Sequence, residues 1–99
     1  MAKVILRQQA IDDLSNIWLY TFNEWSENQA DKYYARLKFA CKEIGEYPEI
    51  GKNYDGVERN LLGLNVGKHI IFYHQISDVE IEVIRILDQR MDLKNRINE

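Results

Sequence analysis

The sequence predicts an α+β fold. Its elements are an N-terminal strand, an antiparallel two-helix hairpin, a three-stranded antiparallel meander and a short C-terminal helix, in the order β-α-α-β-β-β-α. Three observations carry this. Apolar residues recur with a helical period through two successive windows, and a capping signal at Ser26 divides them. From Val57 onward the period falls to two, the period of a strand. Gly67-Lys68 and Ser77-Asp78 then punctuate runs rich in β-branched and aromatic residues, as tight hairpin turns do.

Residues 3–7 are short, β-branched and bounded by Lys3 and Arg7, which suits a strand. From Gln9 to Trp25, the residues Ile11, Leu14, Trp18, Phe22 and Trp25 recur every three or four positions, with Ile17 beside them. Asp12 and Asp13 suit the positive end of that helix. Ser26-Glu27-Asn28-Gln29 fits a capping box, with Trp25 and Ala30 at the hydrophobic-staple positions, so a second helix starts near residue 27. Its stripe is Ala30, Tyr33, Leu37, Ala40, Cys41 and Ile44, and Pro48 ends it. Two long helices joined by so tight a turn make an antiparallel pair.

In the strand region, Leu62, Leu64 and Val66 share one face, and Val57, Arg59 and Leu61 the other, which predicts a bulge around Leu61-Leu62-Gly63. The strand at 69–76 sets Ile70 and Phe72 against Ile71 and Tyr73, apolar on both faces. The strand at 79–87 sets Val79, Ile81, Val83, Arg85 and Leu87 on one face and Glu80, Glu82, Ile84 and Ile86 on the other. Residues 89–97 make a short polar helix or tail touching the rest through Met91, Leu93 and Ile97.

The 99 residues fit a single domain spanning 1–99, and 45% hydrophobic with 11% aromatic residues implies a packed core. Cys41 is the one cysteine, so no internal disulfide forms. The first apolar run is too short for a secretion signal and no 18-residue apolar stretch follows, so a cytoplasmic protein without membrane attachment is expected. A net charge of −3 argues against a surface for direct, sequence-specific nucleic-acid binding.

His69 and His74 are five apart on one strand and face opposite ways, so neither they nor Cys41 make a metal set, and no metal or other cofactor is expected. Nucleophile-elbow and phosphate-loop motifs are missing. What remains is a sheet carrying Arg59, Lys68, His69, Tyr73, His74, Arg85 and Arg90, a set able to cleave RNA by acid–base chemistry. The competing reading gives Arg85 an ion pair with Asp12 or Asp13 and makes Tyr73 a core aromatic.

Several segments together resemble the ParE branch of the RelE/ParE toxin superfamily, over nearly the whole chain. They are Ala10-x-x-Asp13-Leu14-x-x-Ile17-x-x-Tyr20, Trp25-Ser26-x-x-Gln29-Ala30-x-x-Tyr33 and Ile44-x-x-Tyr47-Pro48-x-x-Gly51, then His69-Ile70-Ile71-Phe72-Tyr73, Ile84-Arg85-Ile86-Leu87 and Met91-Asp92. The resemblance implies a helical hairpin on a small, mostly antiparallel sheet. It also implies the toxin half of a bacterial toxin–antitoxin pair of the plasmid-stabilising kind, a non-catalytic DNA gyrase inhibitor held inactive by a ParD-type antitoxin in a hetero-oligomer. The RelE branch instead cleaves mRNA on the ribosome with basic sheet residues and a terminal acid–base group. This chain departs from the family in carrying Asp88 after Arg85-Ile86-Leu87, where His is usual.

Under that resemblance the antitoxin lies across the helical hairpin and along a sheet edge, with Tyr20, Trp25, Tyr34 and Lys38 as contacts. Target contacts are expected at Arg59, Tyr73, Arg85, Arg90, Lys94 and Arg96, the last three on an amphipathic C-terminal segment projecting from the sheet. The alternatives are an mRNA-cleaving enzyme using Arg59, His69, Tyr73 and Arg85 on one face, or a decayed relative that serves only as an antitoxin partner.

Overall fold

The computed structural model describes residues 1–97. Strand β1 (Lys3–Leu6) leads into helices α1 (Gln8–Glu24) and α2 (Glu27–Glu46), and a 3-10 turn at Pro48–Ile50 precedes β2 (Lys52–Asn53). Strands β3 (Leu62–Val66), β4 (His69–Ser77) and β5 (Glu80–Asp88) follow, and α3 (Leu93–Ile97) ends the described chain. All five strands join one sheet in the order β1-β5-β4-β3-β2. The pairings are antiparallel except that β1 runs parallel to β5, with Leu6 opposite Val83. The helical hairpin thus carries the chain across one face of the sheet, from β1 at one edge to β2 at the other.

The α2 stripe is placed as its sequence period requires: Ala30, Leu37, Ala40, Cys41 and Ile44 are buried and Tyr33 half-buried. Ser26 caps this helix by accepting the Gln29 N–H at 3.1 Å. The staple does not close, because Trp25 points away into solvent at 71% exposure. Helix α1 differs from its expected stripe. Ala10 and Leu14 are buried with Ile17 half-buried, whereas Ile11, Phe22 and Trp25 are exposed. Trp18 stacks on Phe22 with 5.2 Å between ring centroids and donates its indole N–H to Asp31 of α2. The outer aromatics therefore clasp the two helices together, and a small residue, Ala10, lets α1 approach the sheet. The first turn of α1 holds no acid, so Asp13 serves the sheet rather than the helix end.

Strand β4 lies between two cores, which explains why its middle is apolar on both faces. Toward the helices, Ile71 and Tyr73 join Ile81, Val83 and Ile86 beneath Leu14, Leu37, Cys41 and Ile44. On the other face, Ile70, Phe72, Ile84 and Leu87 are covered by Leu61, Val57, Leu93 and Ile97. The C-terminal helix therefore closes this second core instead of projecting from the sheet. Leu61 and Leu62 face opposite cores with no bulge between them. The loop 54–61 is closed by Tyr54 N–H on the Leu61 carbonyl and by Asn60 at φ 63°, and that return sets the parity.

The irregularities lie elsewhere, one at Ile76 of β4, between Gln75 and Ser77, and one in β5. Phe72 pairs with Arg85 but Tyr73 with Val83, so Ile84 is an extra residue in β5. Side-chain alternation restarts there. Ile86, not Leu87, joins Ile81 and Val83 on the helix face, and Arg85 leaves the row expected for it. β1 has ended by this point, and α1 takes over the open edge. Arg85 Nε and Nη2 donate to the two Asp13 carboxylate oxygens at 2.9 and 3.1 Å, and the Ile86 N–H donates to Asp13 Oδ2 at 2.9 Å. Arg85 Nη1 also donates to the Arg96 carbonyl at 2.9 Å, tying α3 to the same centre.

Tyr73 is corrected from a surface contact to a buried pin: it has no exposed area. Its hydroxyl donates to the Pro48 carbonyl at 2.6 Å and accepts the Gly51 N–H at 3.0 Å, fixing the chain between α2 and β2. Burial pushes the phenol above its ordinary pKa. Tyr73→Phe strands both backbone groups and is expected to cost about 1–3 kcal/mol in denaturant unfolding without changing the fold. Asp13→Ala removes the partner of a guanidinium only 11% exposed and orphans the Ile86 N–H. About 3 kcal/mol is expected to be lost, with much of it recovered in an Asp13→Leu, Arg85→Met double variant. Thermal melts of the wild-type chain, Asp13→Ala and the double variant check this.

Candidate functional site: a cationic, aromatic-rimmed cleft

A cleft of about 790 Å³ opens between the helical hairpin and the end of the sheet where the β3–β4 turn meets the end of β5. The hairpin supplies Tyr20, Trp25, Gln29, Tyr33 and Arg36 to its wall. The sheet side supplies Lys68, His69, Asp88 and Arg90, and Arg96 comes from α3. Asp13 and Arg85 form part of the floor.

The β3–β4 turn holds the cleft's shape. Gly67 and Lys68 form a two-residue hairpin loop with φ 57° at Gly67, the position where a type II′ turn takes glycine. A Cβ at Gly67 would stand 2.7 Å from the Tyr33 hydroxyl, so glycine also permits the close approach of α2. That hydroxyl donates to the Val66 carbonyl at 3.1 Å and accepts the Lys68 N–H at 3.2 Å. Its remaining lone pair faces His69 Nδ1 at 2.6 Å, an arrangement satisfied when Nδ1 carries the imidazole proton. Tyr33 thereby locks helix, turn and His69 into one unit.

Burial raises the pKa of Tyr33 despite the opposing Lys68 N–H and the nearby Arg36. Burial lowers that of His69, outweighing the attraction of the Asp88 and Asp13 carboxylates. Asp88 is drawn below the usual carboxylate range by hydrogen bonds from the Arg90 side chain and backbone. Cys41 lies in the core, where burial pushes its thiol up to about 11, far from the range of a reactive thiolate. Among the described residues no group of three or more His, Cys, Asp and Glu side chains could hold a metal ion.

The residues expected to be functional fall in several places. Tyr20 and Trp25 stand at the cleft mouth, 64% and 71% exposed. Tyr34 instead lines a shallow groove on the outer side of the hairpin with Ser15, Trp18 and Asp31, and exposed Lys38 follows one turn later on α2. Arg85, Arg90 and Arg96 meet at the cleft, while Lys94 is exposed on α3. Arg59 lies exposed in the loop over the second core. His74 faces Glu58 in that loop, with its Nε2 3.0 Å from the carboxylate. The Tyr33–His69 pair and Arg36 were not singled out by the sequence. Tyr33 reads there as a core position of α2, and nothing local signals that its hydroxyl meets a turn 33 residues away.

Two outcomes follow from the Tyr33 unit. Because folding depresses the His69 pKa, the unfolded chain binds more protons below about pH 6.5. Stability held above that pH is expected to fall as pH drops toward the depressed value, and His69→Gln should flatten the fall in melting curves between pH 7.5 and 5.5. Gly67→Ala meets both the positive φ and the Tyr33 hydroxyl, so a loss of at least about 1 kcal/mol is expected in the same melts.

No helix among the described residues is long and apolar enough to cross a membrane. The fold matches a chain from the solved chromosomal ParDE toxin–antitoxin system of P. aeruginosa with a TM-score of 0.77, covering 89% of this chain and 96% of that one, at 16% identity. In sequence, toxin ParE1 of Mycobacterium tuberculosis (strain H37Rv) is 30% identical over 96 residues, 97% of this chain and 98% of the relative. Toxin ParE1 of Caulobacter vibrioides is 30% identical over 89 residues, covering 90% and 91% of the two chains. Residues 4–93 match the family model described as the ParE toxin of the type II toxin–antitoxin system parDE. An α1–α2 hairpin on a five-stranded sheet, with matching sequence along nearly its whole length, places this chain in the ParE toxin family of type II toxin–antitoxin systems.

Proposed function

We propose that this toxin acts by binding DNA gyrase and stalling it on cleaved DNA, without chemistry of its own, and that a ParD-type antitoxin neutralises it. One observation carries the non-catalytic part: the side chains that would make a cleaving face are dispersed. Tyr73 is in the core, Arg85 is spent on Asp13, and Arg59 lies in the loop over the other face. Of that set His69 and Arg85 line the cleft, but the His69 Nδ1 is engaged by Tyr33 and the Arg85 guanidinium is held by Asp13. General acid–base cleavage needs a proton acceptor, a proton donor and a charge stabiliser within reach of one phosphate. The set Arg59, His69, Tyr73 and Arg85 does not converge in that way.

Binding needs only an accessible, complementary surface, and the cations Arg90 and Lys94 with the exposed Met91 offer one beside the cleft. The antitoxin reading is supported by the exposed apolar row on the outside of the hairpin, where Ile11, Leu19, Phe22, Tyr34 and Phe39 are each more than a third open to solvent. The assay is plasmid supercoiling and cleavage with purified chain and gyrase, run beside an mRNA-integrity control in a translating extract. Accumulated cleaved plasmid with intact mRNA is the expected result. Cut mRNA with normal supercoiling would replace this mechanism by a nuclease, and His69→Gln would then be the first variant to assay.

A further inference from the structure

The chain and its cleft carry opposite net charge. Arg36, Lys68, Arg85, Arg90 and Arg96 line the cleft against the carboxylates of Asp13 and Asp88, so a net +3 site sits on a chain of net −3. Both carboxylates are already engaged, Asp13 by Arg85 and Asp88 by Arg90. Arg36 and Lys68 are exposed and make no ion pair among the described residues. Their backbones are fixed to one another. Arg36 follows Tyr33 by one turn of α2, and the Lys68 N–H is held on the Tyr33 hydroxyl at 3.2 Å, so one phenol sets the spacing of the two cations. At the mouth, Tyr20 and Trp25 have most of their surface in water, and neither packs on another ring among the described residues.

Resting on the gyrase reading above, we infer that this cleft seats a short single-stranded stretch of the cleaved DNA. Arg36 and Lys68 take neighbouring phosphates, and bases stack on Trp25 and Tyr20. Cations beside open aromatic faces are the combination by which proteins hold unpaired strands without reading their sequence, because every base offers a π-face. A cleft of about 790 Å³ admits about two nucleotides. Duplex DNA is a poorer occupant. Its bases are stacked inside and cannot reach the two rings, and its dense phosphates meet a chain of net negative charge. A short strand needs only the local cations, so the average charge of the chain conceals the site. An acidic peptide would satisfy those cations, but its carboxylates bring no flat ring to cover Trp25 and Tyr20. A strand held here is withheld from rejoining, which gives binding alone a way to stall the enzyme.

The test titrates a fluorescent oligo(dT) of about six nucleotides with the purified chain, following anisotropy at low and at moderate salt. The wild-type chain is expected to bind it at least about tenfold more tightly than a blunt duplex, with a log–log salt slope of about −1.4 for two phosphates. Arg36→Gln with Lys68→Gln should weaken binding at least about tenfold and flatten the slope. Trp25→Ala should weaken it at least about fivefold and keep the slope. Lys42→Gln with Lys52→Gln, exposed cations outside the cleft, should stay within about twofold, and all three variants should melt like wild type. Equal binding by the cleft variant and this control would overturn the site. Displacement of the strand by polyglutamate at matched charge would overturn it too, by showing that charge alone is recognised. Tighter binding of oligo(U) would assign the cleft to RNA instead. The plasmid assay separates this from the gyrase reading. Cleaved plasmid undiminished with the cleft variant would remove the strand contact and leave gyrase poisoning standing. A wild-type chain that binds the strand through the cleft but leaves plasmid uncleaved would remove gyrase and keep the strand site.

Discussion

The carboxylate of Asp13 holds three parts of the molecule at once. It receives the Nε–Nη2 edge of the Arg85 guanidinium, and it accepts the Ile86 N–H at the stretch of β5 that β1 no longer covers. Arg85 passes the constraint on to the Arg96 carbonyl, so α1, the sheet and α3 share one electrostatic centre. A buried pair of this kind gives little net stability against an apolar replacement, since both charges lose their water. Its effect is positional. Without Asp13 the β5 edge would present an unpaired N–H beneath a helix, and without Arg85 the carboxylate would be buried alone. The bulge at Ile84 is what turns Arg85 toward Asp13, and the same irregularity returns Ile86 to the helix-side core. One extra residue thus reconciles two long apolar faces with one charged edge.

Most of the architecture was legible because it is local. The Ser26 cap, the α2 stripe and the turn at Gly67-Lys68 each depend on residues within a few positions of one another, and each stands where the sequence puts it. The double-sided apolar pattern of β4 likewise told that two cores flank it. What failed depends on partners far away in the chain. Alternation changes at residues 61–63, yet the change comes from a loop return rather than a bulge, while the bulge at Ile84 hides in an apolar run that reads equally well either way. The α1 stripe reads differently in sequence because large aromatics outweigh Ala10 in any hydrophobic count. In the fold those aromatics face α2 and solvent, and the smallest residue marks the contact with the sheet.

The site was legible in the same uneven way. Tyr20, Trp25, Arg90 and Arg96 were named for two different roles, from helix surface and from charged tail, and the fold brings them to one cleft. Tyr73 and Arg85 looked functional because a phenol and a guanidinium in an apolar strand demand a partner, and that demand was met internally: Pro48 and Gly51 for one, Asp13 for the other. A polar group buried among apolar neighbours must be satisfied, and sequence alone cannot tell whether protein or ligand satisfies it.

Dispersal of the basic and titratable side chains also bears on how one scaffold can host two chemistries. A sheet under a helical hairpin offers the same concave end to any chain that adopts it, and function then depends on which side chains remain free there. In this chain the strand arginine is drawn down into the floor by Asp13 and the strand tyrosine points into the core. The cations that remain toward solvent stand at the mouth, next to aromatic rings. What the fold leaves accessible at this end is therefore a wall of charge and aromatic surface around a structurally committed floor.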